Sequence, residues 1–196
     1  AAIGLLAAKD FGAIVPQWVK DANMNSLTNT QAGTGIFGYT NSTSPWSAGP
    51  YASTPSGMVQ MGMDGIGRGN PQWDRSENFI RNNFCTSGNY ISNIRAYYYG
   101  LFSFTKSMLL HDANGDGTPE PIDNLANQPG GGSPIDWYSA EASNGAACDG
   151  VAKTLVSSQD ASGYWYGHGV WDNQMRFETA WAIIMLNKTV FSSGVP

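Results

Sequence analysis

The chain has 196 residues, which is enough for one domain with a substantial core, and 41% of them are hydrophobic. Only 13% are Asp, Glu, Lys or Arg, against about 25% in an ordinary soluble domain. A formal net charge of −5 without any Lys/Arg cluster argues against a nucleic-acid partner, and the longest apolar runs are too short for a transmembrane segment.

Hydrophobic periodicity predicts seven helices along the chain. The first is an apolar segment with no initiator Met and no basic stretch before it, so we expect an inner helix of a longer chain rather than a signal peptide. Pro16 and Pro71 suit the first turns of the second and fourth helices. The predicted helices are residues 1–9, 16–29, 54–66, 71–84, 93–110, 144–158 and 174–191. No segment alternates with period two for long enough to be a strand, so the predicted class is all-α.

A Gly/aromatic loop followed by an apolar helix that contains a small residue occurs three times. The copies are residues 35–39 with 56–63, 89–90 with 99–106, and 163–167 with 179–186. Aligning Gly57, Gly100 and Ala180 makes the second interval nearly twice the first, and we attribute the excess to an insertion at residues 111–143. Repeats of this size are typical of stacked helical pairs that cannot bury their apolar faces alone.

The helices are of two kinds. Those of the repeat are apolar nearly all round, whereas residues 16–29, 71–84 and 144–158 are amphipathic. An apolar helix is buried on every side, and an amphipathic helix suits an outer layer. The alternation therefore predicts an inner ring of helices within an outer ring.

Residues 159–165, Gln-Asp-Ala-Ser-Gly-Tyr-Trp, together with Thr179-Ala180 resemble the Gln-x-x-x-Gly-x-Trp and Thr-Ala repeat of the prenyltransferase and squalene-cyclase superfamily. The copy that includes Ser56-Gly57 resembles it more loosely. The resemblance implies an α/α toroid of helical hairpin repeats, here a partial or incomplete α/α barrel. We expect residues 1–196 to form one such domain, as part of a longer chain, with residues 111–143 as a long loop insertion.

The known activities of that superfamily are not implied by this chain. Squalene-type cyclases use an Asp-x-Asp-Asp acid, protein prenyltransferases bind zinc through an Asp-x-Cys pair and a distant His, and complement-type toroids carry a Cys-Gly-Glu-Gln thioester. None of these motifs occurs in the sequence. The sequence leaves open whether the chain is an enzyme, and we expect a structural, assembly or binding role.

The insertion begins with a motif that predicts a calcium site. Residues 112–123 reproduce the Asp-x-Asn-x-Asp-Gly start of a calcium loop, with a carboxylate at the twelfth position, and resemble the dockerin variant of the EF-hand loop. The predicted ligands are Asp112, Asn114, Asp116, the carbonyl of Thr118, and Asp123. Pro119 and Pro121 depart from the pattern, and the alternative is a polar turn held by Asx hydrogen bonds. A bound Ca²⁺ would fix the insertion over one face of the ring.

A second group of residues would form a pocket at the mouth of the ring. The aromatic loop 164–171 is followed by Asp172 and Glu178, and residues 136–141 add further aromatic and acidic side chains. Aromatic walls with paired carboxylates suit a glycan or an apolar, isoprenoid-like ligand, with His168, Asp172 and Glu178 as the candidate catalytic residues. The alternative is that the aromatics pack over the helix ends and that Glu178 caps its helix.

Cys85 and Cys148 are the chain's two cysteines, and neither has a Cys-x-x-Cys partner or a His at zinc-finger spacing. They are either two buried thiols or one disulfide. The low charge content suggests a secreted, periplasmic or cell-surface protein, which favours the disulfide. Because seven helices are too few for a complete toroid, we expect a homo-oligomer or further parts of the parent chain to cover the exposed inner helices.

Overall fold

The computed structural model describes residues 2–40, 42–45, 49–166 and 175–188. Within these ranges the chain forms seven α-helices and a two-stranded sheet. The helices are α1 (Ala2–Asp10), α2 (Gln17–Thr30), α3 (Pro50–Met63), α4 (Pro71–Asn83), α5 (Tyr98–Leu109), α6 (Val151–Ser158) and α7 (Met175–Leu186). The strands are β1 (Asn124–Asn127) and β2 (Gly131–Asp136). All seven predicted helices are therefore present, and no helix in these ranges has the length and apolar character needed to cross a membrane.

Several helix ends differ from the predictions for local reasons. Helix α3 begins at Pro50, because proline suits the first turn of a helix. Helix α6 begins only at residue 151, since Gly145 has φ of +89° and ends a short 3₁₀ turn, and Gly150 serves as the N-cap. Helix α4 begins at Pro71 as predicted, and the Asn70 side chain caps it by accepting a hydrogen bond from the Gln72 N–H at 2.9 Å.

The helices of the repeat lie side by side in one row. Helix α1 packs on α3, α3 on α5, and α5 on α7. Gly100, near the start of α5, lies directly against the carbonyl of Tyr51 near the start of α3, and Gly62 near the end of α3 lies against the carbonyl of Leu110. Equivalent ends meet, so α3 and α5 run parallel, and the missing side chains at the two glycines permit the close approach.

The repeat loops attach to their helices by the same contact in two copies. The Phe37 N–H donates to Thr54 Oγ1 at 3.1 Å, and the Trp165 N–H donates to Thr179 Oγ1 at 3.2 Å. Both aromatic rings are buried, and the ring of Phe37 lies directly over Gly57. The loop aromatics Phe37 and Trp165 therefore hold these two loops onto their helices. Pairing the two threonines also pairs Gly57 with Ala182, two residues beyond Ala180.

The insertion contains the small sheet, so the all-α prediction is wrong in detail and the chain is mostly α-helical. Strands β1 and β2 are antiparallel, with Leu125 opposite Ile135. The strands were missed because they are short and show no sustained alternation, and because β2 is mostly exposed. They are held against α4, where Asn78 exchanges two hydrogen bonds with the backbone of Gln128 at 3.0 and 2.6 Å.

The core lies between the row of repeat helices, the outer helices and the insertion. Its largest fully buried side chains include Trp73, Phe84, Tyr98, Phe104 and Trp137. A disulfide joins Cys85, just after α4, to Cys148, just before α6, with a Cα–Cα distance of 5.4 Å. The prediction of a disulfide rather than two buried thiols is confirmed, and the bond spans a sequence separation of 63 residues.

Candidate functional site

The loop after α5 is wound around the carboxylate of Asp112. The side chain is buried, and its two oxygens accept hydrogen bonds from the Gly115 N–H at 2.7 Å and the Gly117 N–H at 2.8 Å. Gly117 has φ of +91°, a conformation that favours glycine. This residue is the sixth of the predicted calcium loop, where the motif requires a sharp turn.

The other predicted ligands follow in successive Asx turns. Asn114 Oδ1 accepts from the Asp116 N–H at 2.8 Å, and Asp116 Oδ1 accepts from the Thr118 N–H at 2.6 Å. The bond from Thr118 lowers the pKa of the exposed Asp116 below its ordinary value, because it stabilises the charged form. Oxygen donors at positions one, three and five of the loop therefore lie in one continuous turn, which suits a hard cation.

The carboxylates of Glu120 and Asp123 have different partners: that of Glu120 contacts the loop itself, and that of Asp123 contacts Lys188. The carboxylate of Glu120, at the ninth loop position, reaches back to the Ala113 N–H at 3.4 Å and to Asn114 Nδ2 at 3.3 Å. The carboxylate of Asp123, at the twelfth, is exposed and lies 3.9 Å from Lys188 Nζ. Glu120 is not among the ligands predicted from the sequence, although the ninth position of such loops often takes part through a water. Within the described ranges, no three His, Cys, Asp or Glu side chains are gathered into a metal-binding group.

His111 anchors this loop to the rest of the fold. Its ring is buried with an edge toward Trp73, at a centroid distance of 4.9 Å. The backbone carbonyl of Glu120 lies 2.8 Å from Nδ1, and the Arg68 N–H donates to Nε2 at 2.9 Å. Because a carbonyl only accepts, Nδ1 carries the proton and Nε2 is the acceptor. The loop is thus fixed to α4 and to the segment before it.

A half-open cleft of about 650 Å³, called the cavity below, lies between α1, α2, α3, α5 and α7. Its walls are mostly apolar and include Val59 and Met63 of α3, Phe102 of α5 and Trp181 of α7. None of the described residues that line it carries a charged side chain. Its volume is within the range of about 300–1,000 Å³ that is typical of small-molecule sites.

A cluster of four aromatic rings is centred on Trp181, and three of them, those of Tyr99, Phe102 and Trp181, line the cavity. The indole lies 5.8 Å from the ring of Tyr99, 6.2 Å from Phe102 and 6.0 Å from Phe177, measured between centroids. Phe102 and Phe177 are nearly parallel to the indole, and Tyr99 meets it edge-on. We call these four residues the aromatic cluster. They come from two helices of the repeat row, α5 and α7, which the sequence analysis predicted to be apolar on every side.

The polar groups of the cavity are largely committed to protein partners. Asn23 Nδ2 donates to Asp64 Oδ2 at 2.7 Å and to the Gln60 carbonyl at 3.2 Å. Ser56 Oγ donates to Ser103 Oγ at 3.4 Å, across the contact between α3 and α5. These groups are amides and hydroxyls, so they offer a ligand a few hydrogen bonds and no counter-ion.

Of the three predicted catalytic residues, only Glu178 lies within the described part of the chain. Glu178 is buried and does not line the cavity, although Trp181, on the same helix, does. Its charge acts on Tyr98, whose pKa is raised to about 12 mainly by burial and further by this carboxylate. His168 and Asp172 lie outside the described residues, so their role stays a prediction.

The acidic and aromatic side chains of residues 136–141, which the sequence predicted beside the same pocket, have structural roles. Trp137 is fully buried and donates from Nε1 to the Ile122 carbonyl at 2.5 Å. Asp136 accepts hydrogen bonds from the backbone after it, and Glu141 lies 3.7 Å from Lys153 Nζ in a half-exposed ion pair. These side chains hold the insertion and α6 in place rather than line the cavity.

Comparison with known protein families, curated proteins and solved structures finds no match for this chain. Its function is therefore inferred from its own residues. Two features carry that inference, the loop wound around Asp112 and the uncharged cavity beside the aromatic cluster.

Proposed function

We propose that this chain is an extracellular, calcium-stabilised binding module of the prenyltransferase-like α/α-toroid type, and that its cavity takes an uncharged, largely apolar ligand. The observation that carries the proposal is the cavity of about 650 Å³ with apolar walls and no charged lining residue among those described. Sites for small molecules are usually concave and apolar, with a few polar groups that orient the ligand.

The chemistry of the lining selects the ligand class. A charged ligand would lose its hydration without gaining a counter-ion in this cavity, which is costly. A glycan would require many free hydrogen-bonding groups, whereas those of Asn23, Ser56 and Ser103 are largely committed within the protein. An apolar ligand with one or two polar atoms loses little hydration free energy on entering the cavity, and it buries its surface against the aromatic cluster.

The calcium part of the proposal rests on the loop after α5. Asp112, Asn114 and Asp116 have the required spacing, and the turn that would present them to a cation is formed by the backbone bonds described above. Because Asp123 lies beside Lys188, we assign the third carboxylate ligand of the calcium ion, after Asp112 and Asp116, to Glu120 and not to Asp123. Bound Ca²⁺ would neutralise this cluster and keep the insertion docked on α4.

The repeat type and the location rest on separate observations. The parallel α3 and α5, the row from α1 to α7 and the shared threonine contact are what helical hairpin repeats of a toroid require. The disulfide between Cys85 and Cys148 suits an oxidising compartment.

Ligand binding is tested with an uncharged fluorescent dye, N-phenyl-1-naphthylamine. We expect saturable binding with one site per chain. Ala22 of α2 is exposed and lines the cavity, so the indole of Ala22→Trp should occupy part of the cavity without disturbing the core. We expect this substitution to weaken dye binding by about tenfold or more. Asn25→Trp, at an exposed position of the same helix that does not line the cavity, is the matched control. Non-saturable binding, or an equal effect of the two substitutions, refutes the ligand site.

Calcium binding is tested by thermal unfolding of the chelated protein with and without added Ca²⁺. At about 100 times its Kd the ion adds about 2.7 kcal/mol to the free energy of unfolding, which corresponds to a rise in Tm of about 5–10 °C for a chain of this size. Asp112→Asn and Glu120→Gln should reduce that rise, whereas Asp123→Asn should keep it. An unchanged Tm on adding Ca²⁺ contradicts the calcium proposal and leaves the ligand site unaffected.

A further inference from the structure

The disulfide joins two segments of the chain that no direct hydrogen bond connects. Cys85 lies just after α4, and Cys148 lies just before α6. Among the residues that the structure describes, no hydrogen bond runs directly between residues 84–86 and residues 148–150. Their polar connection is made instead through a third part of the chain.

That connection is the side chain of Arg95. Its Nε donates to the Phe84 carbonyl at 3.0 Å, and its Nη2 donates to the Thr86 carbonyl at 3.1 Å. Its Nη1 donates to the Asp149 carbonyl at 3.3 Å. One guanidinium therefore binds the carbonyls on both sides of the first cysteine and the carbonyl that follows the second. The rigid fork of donors on arginine permits this arrangement, which the compact ammonium of a lysine cannot reproduce.

The guanidinium is itself fixed by its surroundings. Arg95 is the middle residue of a short 3₁₀ turn, Ile94–Ala96, and its backbone N–H donates to the Asn93 side chain at 3.0 Å. Ile94 is fully buried, and the guanidinium carbon lies 5.9 Å from the centroid of the buried ring of Phe84. Because a guanidinium stays protonated, its three bonds to the cysteine segments are charge-assisted and stronger than neutral hydrogen bonds.

We propose that Arg95 is the positioning residue for this disulfide, and that it holds Cys85 and Cys148 within bridging distance in the folded, reduced chain. None of its three hydrogen bonds involves a sulfur atom, so reduction of the disulfide removes none of them. The Cα–Cα distance of 5.4 Å lies within the range that a disulfide spans. The bond therefore closes after the chain has folded, and it can be broken and closed again without unfolding. This inference is independent of the ligand cavity and of calcium.

The closing reaction is thiol–disulfide exchange with a low-molecular-weight disulfide, for which oxidised glutathione is the probe. The thiolate of one cysteine attacks a glutathione sulfur, which forms a mixed disulfide and releases one glutathione thiolate. The thiolate of the second cysteine then attacks the protein sulfur of the mixed disulfide, and the second glutathione thiolate leaves. Two protein thiols are oxidised, one oxidised glutathione is reduced to two thiols, and the two protein thiol protons pass to the two glutathione thiolates. The second step is the one that Arg95 favours, because it depends on how closely the two cysteines are held.

The test is the equilibrium of the 196-residue chain with mixtures of reduced and oxidised glutathione, in which free thiols are trapped with iodoacetamide. The ratio of protein disulfide to protein dithiol gives the effective concentration of one cysteine at the other. We expect this value to be about 100-fold higher in buffer than in concentrated guanidinium chloride, where the fold is absent. Arg95→Met removes the three hydrogen bonds and should lower the value in buffer by about tenfold or more.

Arg81→Met is the matched control. Arg81 lies in the last turn of α4 and donates from Nη2 to the Ser133 carbonyl at 2.7 Å, and it bonds to neither cysteine segment. A general loss of stability affects the oxidised and reduced forms alike, so this variant should leave the glutathione equilibrium unchanged. Arg95→Lys keeps the charge without the fork and should give an intermediate value.

Circular dichroism of both redox forms shows whether each variant is folded. If reduced Arg95→Met does not fold, Arg95→Lys carries the comparison with Arg81→Met. An effective concentration in the folded Arg95 variant that is no lower than that of the control overturns the proposal. A value for the unmodified chain that is no higher in buffer than in guanidinium chloride overturns it as well.

Discussion

Replacement of Glu77 by Ala tests whether the buried carboxylate of α4 holds three parts of the fold together. Glu77 is fully buried, and Oε2 accepts from Arg68 Nε at 2.9 Å and from Trp73 Nε1 at 3.0 Å, while Oε1 accepts from the Ala126 N–H at 3.2 Å. The substitution leaves these donors without their acceptor. Loss of one partner of a buried ion pair costs about 3–5 kcal/mol, which corresponds to a fall in Tm of about 10 °C in a chain of this size.

The assay is denaturant unfolding followed by circular dichroism, with thermal unfolding as a second measurement. Glu141→Ala is the matched control, because Glu141 forms a half-exposed ion pair with Lys153 whose loss should cost about 0–1 kcal/mol. If Glu77→Ala lowers the free energy of unfolding by no more than the control does, the carboxylate does not have the anchoring role derived from its contacts.

Three further predictions concern the core, the disulfide and alkaline pH. Gly57→Ala gains about 1 kcal/mol of helix propensity, but its Cβ would lie 2.5 Å from the buried ring of Phe37. We therefore expect a net loss of about 1–3 kcal/mol in denaturant unfolding, and a stabilised variant would contradict this. Replacing both Cys85 and Cys148 by Ser should lower the free energy of unfolding by about 4 kcal/mol, because the disulfide closes a loop across 63 residues in the unfolded chain. Equal denaturation midpoints of this variant and the unmodified protein would refute the prediction. Burial raises the pKa of Tyr98 from 10.0 to about 12, so the stability linked to its neutral form is intact below pH 10 and is lost as the pH rises toward 12. Burial also raises the pKa of Tyr97 to about 12, so ultraviolet titration should show more than one late-ionising tyrosine, and Tyr98→Phe should remove one of them.

The helices were predictable because their signals are local. Apolar spacing, Pro71 and the glycines that end helices act within a few residues, so all seven helices were found in the sequence. The errors occur where a nearby residue changes the start of a helix, as at Pro50 and Gly150. The small sheet was missed because it depends on docking against α4 through Asn78, which is distant in the sequence.

The candidate site was predictable only in part. The calcium-type loop is a contiguous motif, so its turn follows from residues 112–118 themselves. The cavity joins Phe102 and Trp181, and the sequence indicates only that both helices are apolar. Which face of an apolar helix stays uncovered is decided by how the helices pack. The polar role of Glu77 was missed for the same reason, since Arg68 and Ala126 approach it only in the fold.

The position of the disulfide has a consequence for proteolysis of the chain. The bond between Cys85 and Cys148 closes a covalent ring that contains α5 and the whole calcium-type loop and small sheet. A protease that cuts the exposed part of the insertion opens this ring without separating the two products. Such a cut would be visible as two bands only after reduction, and the nicked protein would keep both halves of its helix row in one particle.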